Sequence, residues 1–143
     1  MAIWHTKPTL EQLNDSAADC MPGHIGLQFT EIGDDYLVAT LPVDRRTRQP
    51  FGILHGGASV VLAETLGSTG ANLVVDTEKF YCVGQEINAN HLRPVAEGEV
   101  TGTARPVHIG RSSQVWEIRI TAPGGKLSCI SRITMAVVAH GGQ

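Results

Sequence analysis

The sequence has little charge, few aromatic residues and no long hydrophobic run. Charged residues make up 17% and aromatic residues 5% of the 143 positions, against 42% apolar residues. This balance is typical of a soluble globular chain and lacks the charge excess of a disordered one. The formal charge of -3 gives no general attraction for nucleic acid or for an anionic membrane. A membrane span needs about 18 consecutive apolar residues, and no such run occurs.

Other features that the sequence lacks indicate where in the cell the protein works and which metal, cofactor or disulfide chemistry it does without. The opening segment, MAIWHTKPTLEQL, lacks the apolar centre of a signal peptide, so we expect a cytoplasmic protein. Cys20, Cys82 and Cys129 are odd in number and far apart, which favours reduced thiols over a disulfide framework. CxxC, HExxH and Walker motifs are absent, and the histidines lack compact metal-ligand spacing. We therefore predict no metal and no cofactor.

The order of local signals predicts one α+β domain over residues 1–143. The segment TLEQ matches a capping box, which predicts a first helix to about Ala18. LQFTEI and YLVATLPV flank a Gly-Asp-Asp turn and predict a hairpin. Gly56 and Gly57 open a central helix, and four further β-like segments follow it: FYCVGQEINANHL, EVTGTARPVHI, SQVWEIRIT and KLSCISRITMAVV. We expect an antiparallel sheet wrapped around one buried helix.

One carboxylate, Glu64, interrupts the central segment HGGASVVLAETLGS. It is the only formally charged residue from Gly56 to Val75, so a helix here is expected to be buried, with Glu64 buried in it. An ionised carboxylate costs several kcal/mol to bury unless partners offset it, which indicates a function. Ser68 lies four residues later, on the same helix face. The alternatives are an inert ion pair between Glu64 and an arginine, and a Ser68 that merely permits close packing.

Backbone N–H groups at the start of this helix are candidate donors to an anion. Gly56 and Gly57 would leave unpaired N–H groups at the helix N-terminus, where the macrodipole favours developing negative charge. His55 and Gln49 add hydrogen-bonding side chains in a mostly apolar stretch, which favours an oxyanion hole. The alternative is that the two glycines simply turn the chain.

The spacing of these groups predicts a dimer. From Gly56 to Glu64 is about 12 Å along a helix that rises about 1.5 Å per residue. An oxyanion donor and an attacking carboxylate must both come within about 3 Å of one carbonyl group, which one helix cannot easily achieve. A two-fold homodimer in which Gly56 of one protomer faces Glu64 of its partner gives two equivalent sites.

Two basic segments fit a ligand that carries phosphate. Arginine can bind phosphate in a bidentate manner, and serine hydroxyls and turn N–H groups add donors. Solvated loops are the alternative, because turns favour the same polar residue types. The two candidate segments comprise His91, Leu92, Arg93 and Pro94, and then His108, Ile109, Gly110, Arg111, Ser112 and Ser113.

The segment RTRQPFGILHGGASVVLAETLGS resembles the signature of the hotdog-fold acyl-CoA thioesterases. The similarity extends through TLEQLN, PVDRRT, VGQEINANHLRP and VHIGRSSQVWEI, so it covers most of the chain. The resemblance implies that Glu64 is the catalytic carboxylate, as nucleophile or as general base on water, with Ser68 as its helper. It also implies that Gln49 and His55 orient the thioester, and that the Gly56 N–H polarises its carbonyl across a dimer interface.

The subgroup it resembles acts on aromatic acyl thioesters and includes thioesterases of menaquinone and enterobactin synthesis. This resemblance implies that Gly84 and the two basic segments bind coenzyme A, which enters only as part of the substrate, and that the dimers pair into a homotetramer. The leading hypothesis is hydrolysis of an aromatic acyl-CoA, such as 1,4-dihydroxy-2-naphthoyl-CoA or a hydroxybenzoyl thioester, or of the corresponding acyl carrier protein thioester. The alternatives are a hotdog dehydratase of 3-hydroxyacyl thioesters and a non-catalytic acyl-CoA sensor. The QPFGILHGG context argues against the dehydratase.

Overall fold

The computed structural model describes residues 1–141 as three helices and six strands. The helices are α1 (Leu10–Ala18), α2 (Met21–His24) and α3 (Gly56–Val74). The strands are β1 (Gln28–Ile32), β2 (Leu37–Pro42), β3 (Phe80–His91), β4 (Glu99–Ile109), β5 (Ser113–Thr121) and β6 (Leu127–Ala139). All six strands lie within one residue of the predicted segments.

The strands form one antiparallel sheet whose order differs from chain order, β1-β2-β4-β5-β6-β3. After α3 the chain crosses to the far side of the sheet, where β3 pairs with β6 and becomes an edge strand. Within residues 1–141 no strand pairs with the outer side of β3, and only Cys82 of its 12 residues is buried. A long edge strand exposes unpaired N–H and C=O groups, so proteins usually cover it.

Helix α3 lies across the inner face of the sheet, as the sequence predicts. The inner face carries the buried strand residues Trp116, Ile118 and Ile133. The helix approaches the sheet closely at Gly70, where a side-chain carbon would lie 2.8 Å from the Trp116 ring. Trp4 stacks on the same indole with ring centroids 6.2 Å apart, which closes this end of the core. The sheet wrapped around a central helix is therefore confirmed.

Local sequence explains the first helix and the regular strands. Thr9 Oγ1 accepts from the Gln12 N–H, and Gln12 Oε1 accepts from the Thr9 N–H, which is the predicted capping box. In β5 the alternation places Trp116 and Ile118 in the core and leaves Arg119 exposed. These elements follow from short-range patterns alone.

Helix α2 is an element that the sequence analysis misses. It has four residues and no side-chain cap, and Pro22 in its first turn is the available signal. Gly23 fits tightly against α1, since a side-chain carbon there would lie 2.2 Å from the Ala17 carbonyl oxygen. None of the helices in residues 1–141 is long and apolar enough to cross a bilayer.

Candidate active site

The loop before α3 is folded around the buried side chain of Thr47. Its hydroxyl donates to the Pro42 carbonyl at 2.7 Å and accepts from the Asp44 N–H at 3.1 Å. The Thr47 carbonyl accepts from the His55 N–H at 2.8 Å. The Arg46 guanidinium lies 2.7 Å from the Asp44 carboxylate and holds the pKa of Asp44 below its usual value. These bonds fix the start of α3 relative to β2.

Gln49 sits at the base of a tight turn inside this loop. Its N–H donates to the Ile53 carbonyl and its carbonyl accepts from the Gly52 N–H, both at 2.9 Å. Gly52 has a φ of 83°, which a residue with a side chain rarely adopts. The Gln49 side-chain oxygen accepts from the Phe51 N–H. Its amide NH₂ has no hydrogen-bond partner in the described part of the chain, so this donor can face a ligand.

His55 is the N-cap of α3 and leaves one N–H group free. Its Nδ1 accepts from the Gly57 N–H at 2.8 Å, and its carbonyl accepts from the Ala58 and Ser59 N–H groups. Because Nδ1 accepts, Nε2 carries the proton of the neutral ring. Of the first four N–H groups of α3, only that of Gly56 lacks a partner within residues 1–141. A single free donor thus stands at the positive end of the helix dipole.

Gly56 lines a cavity of about 380 Å³ that collects several of the predicted residues. His91 lies against Gly56, since a side-chain carbon on Gly56 would be 2.9 Å from His91 Nε2. Arg93 Nη1 donates to the Leu127 carbonyl at 3.0 Å, which holds the guanidinium beside the cavity. The lining residues are Gln49, Ile53, Leu54, Gly56, Ser59, His91, Leu92, Arg93, Pro94, Val95 and Ser128. His55 caps the helix beside this cavity but does not line it.

Glu64 lies two helical turns away from Gly56 and faces outward. The expectation that Glu64 is buried is wrong for the single chain, because the sheet covers only one side of α3 and leaves this face exposed. Gly84 of β3 lies beside the carboxylate: a side-chain carbon there would be 3.3 Å from Glu64 Oε1. A second hollow of about 280 Å³ is lined by Met21, Val60, Val61, Glu64 and Thr65.

The Glu64 face of α3 continues through Ser68 and Asn72. Ser68 is half-buried, and its carbonyl accepts from Asn72 Nδ2 at 2.9 Å. The Asn72 amide also accepts from the Cys82 N–H at 2.8 Å and donates to the Cys82 carbonyl at 3.1 Å. Both backbone groups of a strand residue point to the same side, so Asn72 binds the outer edge of β3 two residues before Gly84. The sequence analysis does not single out Asn72, although its spacing of eight residues from Glu64 is a usable signal.

The two predicted basic segments lie far apart in one chain. His91 is opposite Cys129 of β6, whereas Ser113 is opposite Ala136. The seven residue steps along β6 from Cys129 to Ala136 span about 23 Å at about 3.3 Å per residue. The structure therefore does not bring the turn 108–113 into the cavity that contains His91 to Pro94.

The reactive groups beside the two hollows are few. Cys82 and Cys129 are buried, and burial raises the pKa of both thiols, which makes them poor nucleophiles. Among residues 1–141, no three His, Cys, Asp or Glu side chains are grouped so that they could hold a metal ion. Glu64 is the one carboxylate that lines either hollow. One chain thus carries a free backbone N–H donor and a carboxylate that are too far apart to reach the same carbonyl group.

The chain belongs to the thioesterase superfamily. The model of the family described as Thioesterase superfamily matches residues 51–129. That range includes Gly56, Glu64 and Gly84 and most of the residues of the larger cavity. The hotdog fold and the resemblance noted in the sequence are confirmed.

Close relatives agree on the type of reaction. The 1,4-dihydroxy-2-naphthoyl-CoA hydrolase of Escherichia coli is 52% identical over 136 residues, which are 95% of this chain and 99% of that protein. The proofreading thioesterase EntH of Cronobacter turicensis is 50% identical over 137 residues, covering 95% and 98%. The crystal structure of a mutant thioesterase from Pseudomonas aeruginosa matches with a TM-score of 0.95 and 53% identity, covering 96% of this chain and 99% of that one. The protein is a thioesterase, an enzyme that hydrolyses thioesters.

Proposed function

We propose that the protein hydrolyses aromatic acyl-CoA thioesters at sites shared between the two protomers of a homodimer. One observation carries this proposal: the free Gly56 N–H and the Glu64 carboxylate lie on one helix about 12 Å apart, at about 1.5 Å per residue. Both groups must act on the same carbonyl. Each group therefore needs its complement from a second chain.

Pairing of β3 with its own copy supplies that complement. Gly84, beside Glu64, and His91, beside Gly56, both face α3 from the inner side of β3. When Gly84 of one protomer opposes His91 of its partner in an antiparallel pair, Glu64 of the first faces Gly56 of the second. The same arrangement covers the open edge of β3.

The register of this pairing follows from the two contacts. Because β3 has a bulge between Gly84 and Glu86, positions 84 and 91 oppose each other when the two-fold axis falls at Asn88. The Asn72 side chain already binds the outward-facing N–H and carbonyl of Cys82, and in this register Cys82 lies beyond the residues of β3 that pair. The hydrogen bonds of Asn72 and the proposed pairing therefore use different parts of β3.

The proposed chemistry assigns one task to each half of the site. The Gly56 N–H, at the positive end of α3, donates to the thioester carbonyl oxygen and stabilises the oxyanion. Glu64 either attacks the carbonyl carbon, giving an anhydride that water then hydrolyses, or takes a proton from the attacking water. On both routes the C–S bond breaks, one water is consumed, and the products are the thiol and the carboxylic acid. Gln49 offers its free amide NH₂ to the bound thioester.

The coenzyme A arm is assigned to the larger cavity and to the turn 108–113 of the other protomer. Arg93 and His91 supply the cationic and hydrogen-bonding groups beside the cavity. In the proposed dimer the partner's turn is separated from His91 by about three strand spacings, or about 14 Å at about 4.8 Å each. That distance is shorter than the separation within one chain and fits one extended ligand. A tetramer built from two such dimers stays a prediction from the resemblance.

The aromatic acyl group is proposed from the relatives. The Escherichia coli relative is named as a hydrolase of 1,4-dihydroxy-2-naphthoyl-CoA. If this protein acts on the same substrate, its reaction belongs to menaquinone synthesis. The Cronobacter relative is named as a proofreading thioesterase. Neither the dehydratase nor the sensor hypothesis gains support from these names, so 1,4-dihydroxy-2-naphthoyl-CoA is the first substrate to test.

The test is thiol release from a panel of aromatic and aliphatic acyl-CoA thioesters by the unaltered protein and by Glu64→Gln. We expect rapid release from the aromatic members and a loss of about 100-fold or more in kcat for the variant, because the carboxylate is needed in the reacting step. Glu97→Gln, an exposed glutamate outside both hollows, is the matched control and should retain full activity.

Near-normal turnover by Glu64→Gln would overturn the assigned role of this carboxylate. Tight acyl-CoA binding with no thiol release by the unaltered protein would instead favour a sensor or a carrier-protein substrate. Formation of an alkene from a 3-hydroxyacyl-CoA would favour the dehydratase.

A further inference from the structure

The smaller hollow lies between α2 and α3 and has Glu64 in its lining. Of its five lining residues, Glu64 is the one that carries charge, and the others are Met21, Val60, Val61 and Thr65. The larger cavity, by contrast, has Arg93 and His91 in its lining. The two spaces therefore differ in chemistry, and the smaller one is suited to an apolar group rather than to a phosphate.

The position of Glu64 links this hollow to the acyl half of the substrate. This inference rests on the proposed function, in which the carboxylate acts on the thioester carbon at about 3 Å. The sulfur side of that carbon leads to coenzyme A, whose phosphates need the cationic cavity. The acyl side must then enter apolar space that borders Glu64, and the hollow between α2 and α3 meets that condition.

Met21 is the residue of this hollow that comes from outside α3. The residue is 60% exposed although its side chain is large and apolar. The long helix α3 carries Val60, Val61 and Thr65, whose short side chains have little freedom to move. Methionine, by contrast, has three rotatable side-chain bonds and a thioether that makes favourable contacts with aromatic rings. Among the lining residues, Met21 is thus the one best able to adapt to different aromatic groups.

The backbone below Met21 is held firmly. The Met21 carbonyl accepts from the Ile25 N–H at 3.2 Å, and the Pro22 carbonyl accepts from the Leu27 N–H at 3.0 Å. Gly23 packs against the α1 backbone with no room for a side chain. The side chain of Met21 can therefore change rotamer while α2 keeps its place.

We propose that Met21 is the adaptable wall of the acyl subsite and sets the size of acyl group that the enzyme prefers. A smaller residue at this position lengthens the hollow, and a bulkier, stiffer one shortens it. Differences of this kind in a hydrophobic pocket change the relative kcat/KM of two substrates by about 10-fold to 200-fold per methylene-sized step.

The experiment compares kcat/KM for a bicyclic naphthoyl-CoA and a monocyclic benzoyl-CoA in Met21→Ala, Met21→Phe and Met21→Leu. We expect the bicyclic-to-monocyclic ratio to rise about 10-fold in Met21→Ala and to fall about 10-fold in Met21→Phe. Met21→Leu, which conserves volume, should stay within about twofold. Val107→Ala removes another exposed apolar side chain, outside both hollows, and should leave the ratio unchanged.

Circular dichroism checks the fold of each variant, which we expect to be intact because Met21 is exposed. Ratios that move less than twofold in both Met21→Ala and Met21→Phe, or that move in the same direction, would overturn the role of Met21 while leaving the thioesterase proposal standing. Absence of thiol release from both substrates by the unaltered protein would overturn the aromatic-substrate proposal and this inference with it.

Discussion

Gly84 leaves just enough room for the Glu64 carboxylate. A side-chain carbon at this position would lie 3.3 Å from Glu64 Oε1 and 3.6 Å from Ile133 Cδ1. The first distance is tighter than ordinary van der Waals contact, and the Ile133 side chain limits movement on the other side. At this residue, the absence of a side chain sets where the carboxylate sits.

Replacing Gly84 by alanine should therefore lower turnover more than stability. We expect kcat to fall about tenfold or more, because small displacements of a reacting group have large effects on rate. Thermal denaturation should shift little, since alanine fits extended backbone and the added carbon would come no closer than 3.3 Å to another atom. Val83→Ala, one residue away on the opposite face of β3, is the control. An unchanged kcat in Gly84→Ala would show that the position of the carboxylate does not depend on this contact.

One polar side chain adds to the strand pairing that holds β3 in place. The Asn72 amide makes two hydrogen bonds to the backbone of Cys82 and so ties the edge of the sheet to α3. It does so two residues before Gly84, next to the point where strand and helix meet at Glu64. Asn72 thereby joins the two elements that form the carboxylate half of the site.

We expect Asn72→Asp to lower the free energy of unfolding by about 1–3 kcal/mol, because the Cys82 carbonyl loses its donor and faces a carboxylate. Asn72→Ala removes both hydrogen bonds without adding charge. It therefore separates the loss of the hydrogen bonds from the repulsion by a carboxylate. Denaturant titration measures the stability of both variants, and amide hydrogen exchange at Cys82 should be faster in Asn72→Ala, which removes the acceptor of this N–H. Unchanged exchange at Cys82 in Asn72→Ala would contradict the role of these hydrogen bonds.

The difference between local and long-range information explains which elements the sequence predicts. The capping box at Thr9 and the alternation through Trp116 are short-range patterns, and both elements they predict are present. The position of β3 beside β6 depends on pairing between distant segments, which no local pattern encodes. The apolar sequence of α3 predicts a buried Glu64, but a helix sequence does not state which of its sides the rest of the chain covers.

At the scale of the whole molecule, the candidate site is divided between two surfaces of one chain. The sequence spacing already predicts this division, and the contacts of Gly84 and His91 suggest the register of the proposed pairing of β3 with its own copy. The roles of the individual site residues stay predictions, and a mixing experiment tests whether two chains form each site.

Two inactive variants, Glu64→Gln and Gly56→Pro, should restore activity to each other when mixed. Proline removes the free N–H and is tolerated in the first turn of a helix. The exposed His91 ring, 2.9 Å from the new side-chain carbon, can turn aside, so the fold should persist. In a mixed dimer, one site combines the native Glu64 of one protomer with the native Gly56 of its partner, and the other site carries both substitutions. Random reassembly makes half of the dimers mixed, so about a quarter of the native activity should return. Activity that stays at the level of the separate variants after verified subunit exchange would mean that each site is built within one chain.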